Sequence, residues 1–297
     1  VPTFTSEFQP NNAAFSAGPA ASSKHRSPRQ TLRCATFLAY HLFWLYKYIA
    51  DSLAERLGCA IELVQDSRYE NLGTDFDLAF VCGLAYVVWG EETEPLVAPV
   101  LTGNRYQGEP IYYSDVVVRR DSCLHSFAEL RNRTWVYNEP YSQSGSGIVR
   151  FHLAESGCGH SFFRREWEAG SHEVALRLVA EGEADVAAID SHVLDTLRSS
   201  HPGLDDRLRV IHTLGPSPIQ PLVAARHLPD VLKTAVRSAL VCLANDPKAE
   251  RVLRHGHVAR FVPVQDSTYD PIREMQAVAG DRTKDRTPLE RVAPIAL

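Results

Sequence analysis

Asn138-Glu139-Pro140-Tyr141-Ser142-Gln143-Ser144-Gly145-Ser146-Gly147 joins a run that reads as a strand, Thr134–Asn138, to one that reads as a helix from Gln143 to about Glu155. This strand–turn–helix passage decides the fold class and supplies the first candidate for chemistry. Hydroxyls at Ser142, Ser144 and Ser146 alternate with residues that let the backbone come close. The first turn of a helix leaves about four N–H groups without intrahelical partners, and the macrodipole adds about half a positive charge there. Serine hydroxyls beside those amides can donate to the same anion. The turn therefore predicts a cradle for a tetrahedral oxyanion that needs no Lys or Arg. Each charge-assisted hydrogen bond contributes about 1.5–3 kcal/mol, so about four or five offset the cost of association and leave micromolar binding. A plain serine N-cap with a flexible glycine turn is the other reading of the same residues.

Outward from this turn, strand-like and helix-like segments alternate. Thr31–Leu38, Ala60–Gln65, Phe76–Val81, Leu96–Leu101 and Tyr112–Arg119 are short, mostly apolar and bounded by polar residues, as strands are. Trp44–Leu57 has the pattern of an amphipathic helix that Gly58 ends, and Ser126 with Glu129 forms a capping box for a short helix. Val174, Ala175, Leu178 and Val179 make a helical stripe in Glu173–Glu181. Asp185–Ile189, Leu208–Thr213 and Leu222–Ala225 follow as strands, with helices at His192–Ser199, near Asp230–Ala244 and over Pro247–Arg254. Ser267 and Asp270 would cap a last helix to Ala277. The expected class is α/β with mostly parallel sheets flanked by helices. Residues 1–30 read as a flexible lead-in, 31–114 and 221–279 as one discontinuous lobe, 115–220 as a second lobe inserted into it, and 280–297 as a tail. Crossings near Tyr113–Val116 and Ile219–Leu222 would serve as two hinge strands, with a ligand cleft between the lobes.

Composition narrows the function. The 297 residues are 44% hydrophobic and 23% charged, an ordinary globular balance that suits two lobes with a core each. A net charge of −5 gives no footprint for nucleic acid or an anionic membrane, so a bound anion is held by local geometry against the overall charge. No run approaches the ~18 apolar residues of a membrane span, and residues 1–30 lack the basic-then-apolar order of a signal peptide. The six cysteines form no CxxC pair, and several sit in apolar runs such as LAFVCG around Cys82. A reduced set is expected, which leans towards a reducing compartment. His152, Cys158 and His160, or His255 and His257, lack the paired spacing of a zinc site, so neither a metal nor another cofactor is expected. GSGIVR lacks the third glycine of a dinucleotide fingerprint, no GKS or GKT marks a P-loop, and GxSxG fails with Ser142 at the place of its first glycine. Ser144 or a cysteine with His172 as base would be the parts of an enzyme, but no triad order or strained elbow supports one.

With Ser142-Gln143-Ser144-Gly145 in view, the chain resembles the substrate-binding proteins of phosphonate, phosphite and phosphate ABC importers, which carry an S-x-S-G turn here. Ser171-His172-Glu173 through Val179-Ala180-Glu181-Gly182-Glu183-Ala184-Asp185-Val186-Ala187-Ala188-Ile189-Asp190 is similar to a second block of that family. Asp77-Leu78-Ala79-Phe80 to Ala85-Tyr86 is similar to a third, and the likeness spans about residues 31–275. The resemblance implies a type II periplasmic-binding-protein fold, a small oxyanion ligand of the phosphonate, phosphite or phosphate class, and an ABC permease as partner. It also implies a monomer placed outside the cytoplasm; a cytoplasmic sensor or an enzyme on the same fold is the alternative. By resemblance, Ser142, Gln143, Ser144 and Gly145 grip the oxyanion at the helix N-terminus, His172 donates to it, Tyr86 contributes from the outer lobe, and Asp190 faces the cleft towards a ligand amine or hydroxyl. At a helix N-terminus the cationic form of His172 should be disfavoured by the dipole, so a bound dianion would draw in protons. The chain departs from the family at Tyr40-His41-Leu42-Phe43-Trp44, where Tyr40 and His41 either line the ligand side or pack in the core. This aromatic loop leaves room for an organic group on the ligand.

Overall fold

The structure, a computed structural model, describes residues 31–158 and 161–280. The lead-in expected over 1–30, the tail expected beyond Gly280, and His160 lie outside the described residues.

Three short apolar strands start the chain: β1 (Leu32–Thr36), with β2 (Ile61–Gln65) and β3 (Leu78–Phe80) parallel on its two sides. Between β1 and β2 runs α1 (Phe43–Leu57), whose Leu45, Ile49 and Leu53 recur at helical spacing and are buried. Gly58 ends it at φ 65°, a left-handed conformation that glycine adopts without steric cost. After α2 (Gly83–Trp89) and β4 (Thr93–Leu101), the chain leaves this sheet and opens a second with β5 (Ile111–Arg119). There β6 (Thr134–Tyr137), β7 (Arg165–Glu168), β8 (Val186–Asp190) and β9 (Leu208–Pro218) join in the order β7-β6-β8-β5-β9. Connecting them are α3 (Ile148–Glu155), α4 (His172–Glu181), α5 (Ser191–Ser200) and α6 (Leu204–Arg207). The return strand β10 (Leu222–Ala225), then α7 (Asp230–Val241), α8 (Pro247–His255) and β11 (Val258–Pro263), complete the first sheet as β11-β4-β10-β3-β1-β2. Finally α9 (Asp270–Ala279) packs back against α3.

Both sheets are mixed rather than mostly parallel. β10 runs antiparallel to β3 and β4, and β5 runs antiparallel to β8 and β9. Parallel pairing needs a crossover, usually a helix, and strands that enter or leave at a crossing between lobes have none. The crossings fall at 102–110 and 219–221 and run side by side, with the Ile219 N–H donating to the Pro110 carbonyl at 3.0 Å. Ser114–Val116, part of an expected crossing, lies instead inside β5, paired with β8 on one edge and β9 on the other.

Alternation along β5 places Val116 in one core of the second lobe and Val117 in another on the opposite sheet face. The first lobe has one large core, around Leu78, Leu96, Val223 and Leu240. All six cysteines are free. Four elements had no expectation attached: α2, apolar on every side; the one-turn α6; β7, a polar edge strand; and β11.

Candidate functional site

The lobes enclose a cavity of about 200 Å³, walled by residues 37–40, Leu42 and Tyr69 of the first lobe and by Ser142, Ser144 and His172 of the second; the expected ligand residue His41 is not on its wall. No Lys or Arg lines it among the described residues. At the exit of β6 the chain enters a π-type turn, Gln143–Gly147, before α3 begins. Such wide turns recur at functional sites. Here the turn brings the Ser142 and Ser144 hydroxyls to 3.5 Å of each other, with His172 Nε2 3.4 Å from Ser144 Oγ. The Ser114 hydroxyl on β5 donates to the Ser144 carbonyl at 2.6 Å and fixes the turn to the sheet. Gly145 is required sterically, because a Cβ there would lie 1.8 Å from Asn138 Oδ1.

Most of the amides expected to be free at this turn are bonded within the protein. Gln143 N–H donates to Cys82 Sγ at 3.2 Å and Gly145 N–H to Ser142 Oγ at 3.0 Å. Ser146 and Gly147 N–H groups both donate to the Ser142 carbonyl, at 3.1 and 2.9 Å. The wide turn lets one carbonyl collect two amides, and the Ser142 and Ser144 hydroxyls and the imidazole stand on the cavity wall beside it.

His172 opens α4, and Ser171 caps that helix by accepting the Val174 N–H at 3.2 Å. The imidazole is buried, and no described residue partners its Nδ1. Burial is the main cause that holds it well below the ordinary histidine range; the Glu173 charge opposes this and His41 reinforces it. Enclosure, more than the helix dipole expected from sequence, keeps the ring neutral. Asp190 stands at the end of β8 and caps α5, its Oδ1 accepting His192 N–H at 2.7 Å and Val193 N–H at 3.3 Å. Gln220 Nε2 donates to its Oδ2 at 2.5 Å. Burial raises its carboxyl to about 6 despite these bonds. Asp190 is thus a cap and a cavity wall at once.

Tyr40 lines the rim and is 73% exposed. His41 reaches across the lobes instead: Nδ1 lies 2.7 Å from Glu173 Oε1, and Nε2 lies 2.9 Å from Thr196 Oγ1. Burial would raise the Glu173 carboxyl, but the hydrogen bond and charge of His41 outweigh it and hold it below the usual carboxylate range. Two expected ligand residues turn away from the cavity. The Tyr86 hydroxyl donates to Asp266 Oδ1 at 2.6 Å while its ring packs on Tyr269, because α2 presents it towards the C-terminal segment. The Gln143 side chain points to Ser217 Oγ at 3.2 Å and Met275 Sδ at 3.1 Å. Sequence reasoning had singled out neither Tyr69 nor Glu139, whose side chains meet across the lobes at 2.6 Å. Glu139 stood inside the quoted turn, whereas Tyr69 carried no motif. Among the described residues no group of three or more His, Cys, Asp or Glu side chains could hold a metal ion.

Comparison with known proteins bears on the same residues. A sequence profile described as "ABC transporter, phosphonate, periplasmic substrate-binding protein" matches residues 40–269. The phosphonates-binding periplasmic protein of Escherichia coli (strain K12) is 28% identical over 173 residues, 57% of this chain and 51% of that protein. The match therefore spans about half the length of this curated relative. A solved binding-protein component of an ABC phosphonate transporter from Pseudomonas aeruginosa superposes with a TM-score of 0.75 at 20% identity, covering 85% of this chain and 87% of that one. A Prochlorococcus marinus protein solved in complex with methylphosphonate gives 0.73 at 17% identity, covering 82% and 96%. These likenesses show the two-lobed periplasmic-binding-protein fold. On the profile match, the chain belongs to the periplasmic substrate-binding proteins of phosphonate ABC transporters.

Proposed function

We propose that this chain captures a small phosphonate-type oxyanion between its lobes and delivers it to an ABC permease. The observation that carries the reading is the convergence of the Ser142 and Ser144 hydroxyls and the His172 imidazole on an enclosed space that no Lys or Arg among the described residues lines. Hydroxyls rotate to suit, and a neutral imidazole donates from one nitrogen, so the set matches a ligand with several acceptor oxygens. At about 200 Å³ the cavity lies below the ~300–1,000 Å³ of drug-sized sites. It suits phosphonate, phosphite or phosphate, with Tyr40 at the rim beside any organic group. Among the described residues His172 Nδ1 has no acceptor to orient the ring as a base beside Ser144, which favours holding a ligand over attacking it. The descriptions of the E. coli relative and the P. marinus neighbour support the same ligand class. One chain supplies the whole cradle, so a monomer suffices, and the family places such proteins outside the cytoplasm.

A cytoplasmic sensor on the same fold is the second reading, favoured by the six free cysteines. Counting free thiols in the protein purified from its host separates the two. For the main reading, methylphosphonate, phosphite or phosphate should raise the melting temperature by several degrees. Ser144→Ala combined with His172→Ala should abolish the shift, and a double variant with full affinity would show that the cradle is elsewhere.

A further inference from the structure

We infer that Glu139 makes this cavity select oxyanions that carry a proton, so that phosphonates enter and sulfonates of the same shape are refused; the inference rests on the phosphonate reading above. The exit of β6 brings Glu139 onto the cavity wall three residues before Ser142. Its Oε1 accepts the Tyr69 hydroxyl from the opposite lobe at 2.6 Å, and no described residue donates to its other oxygen. The other carboxyls of the wall are differently placed. Asp66 has both oxygens filled by the Ser67 and Arg68 amides and the Arg68 guanidinium, Asp190 likewise has both filled, and Glu173 is tied through Oε1 to His41 while its Oε2 is sealed from solvent. Glu139 is therefore the carboxyl of the wall left for a ligand.

An oxyanion without a proton would set bare negative oxygens against this carboxyl, in a cavity lined, among the described residues, by no Lys or Arg to offset the repulsion. A protonated oxygen would instead donate a short O–H···O bond, among the stronger hydrogen bonds a protein forms. One proton is then shared between Glu139 and the ligand, whichever supplies it. Burial raises the Glu139 carboxyl to about 7, with the Tyr69 hydrogen bond opposing and the charge of Glu168 adding to the rise. The second ionisation of phosphoryl groups lies near the same value, roughly pH 6 in phosphate esters, so the proton is closely matched. Of the other groups facing Glu139, burial keeps Tyr69 and Cys82 protonated at neutral pH. A sulfonate has no basic oxygen at this pH and brings no proton, so the site must draw one from water.

Isothermal calorimetry with methylphosphonate and methanesulfonate at pH 8 tests this on the full chain. The wild type should bind the phosphonate at least 100-fold more tightly. Glu139→Gln keeps an oxygen for Tyr69 and offers an N–H to the ligand, so it should narrow that ratio at least tenfold by admitting the sulfonate. An unchanged ratio in a variant that still binds methylphosphonate overturns the inference and leaves the phosphonate reading standing. A wild type that binds neither ligand overturns both. Should the variant not fold, wild-type titrations in two buffers of different ionisation heat give the answer: sulfonate binding must take up more protons than phosphonate binding, and equal uptake overturns the inference.

Discussion

His172, His192, Asp190 and Glu139 lie along the same walls, and burial moves each towards its neutral form. The consequences for stability have opposite signs. The imidazoles, lowered to about 4 for His192, are more easily protonated in the unfolded chain, so their contribution is lost as pH falls from about 6.5. The carboxyls, raised to about 6 and about 7, hold protons in the folded chain, so their contribution is lost as pH rises. Between about pH 4.5 and 6 the two pairs oppose each other, and the ligand-free chain should melt at nearly constant temperature there. Glu139→Gln removes one carboxyl, and stability should then climb with pH by up to ~1.4 kcal/mol per unit. Parallel melting curves for the two proteins would refute this balance. Ser142, Ser144, His172 and Asp190 were legible in sequence because each sits in a local motif at the end of a strand or the start of a helix. Tyr69 and Glu173 act through contacts between distant segments, which no local pattern encodes. Tyr86 was misplaced because a motif gives a position along α2 and leaves open which side of the helix faces the cleft.

At the level of elements, α5 depends on one carboxylate. Asp190→Ala leaves the His192 and Val193 amides without their acceptor and should cost about 0.5–2 kcal/mol, seen as a lower denaturant midpoint with unchanged slope. Asp190→Asn keeps a capping oxygen and should recover most of that; equal losses would mean that charge, not capping, holds the helix. The elements legible in sequence are those with a clear period or a capping residue. α1 keeps its stripe and its terminal glycine, and Ser126 with Glu129 forms the capping box read from spacing alone. α2 was missed because LAYVVW presents no polar face, so neither helical nor strand period shows in it. β7 was missed because its edge position leaves Arg165 and Glu166 exposed, without the apolar alternation of a half-buried strand.

Across the whole molecule, the alternation of strands and helices conveyed the class, and the family blocks conveyed the two-lobed fold. Sheet polarity was not legible, since the crossings at 102–110 and 219–221 reverse strand direction through loops that carry no signature. Cross-lobe bonds from His41 to Glu173 and from Tyr69 to Glu139 hold the halves together around the ligand space. Among the described residues that space is lined by no Lys or Arg, in a chain of net charge −5. An approaching anion therefore meets repulsion at long range and attraction only on contact, the reverse of electrostatic steering. Shortening the Debye length from ~30 Å at 0.01 M salt to ~8 Å at 0.15 M should speed capture while the release rate stays nearly constant. Stopped-flow association rates for methylphosphonate across that range report the sign directly. Capture that slows in salt would mean that positive charge near the mouth, rather than the hydroxyls inside, guides the ligand in.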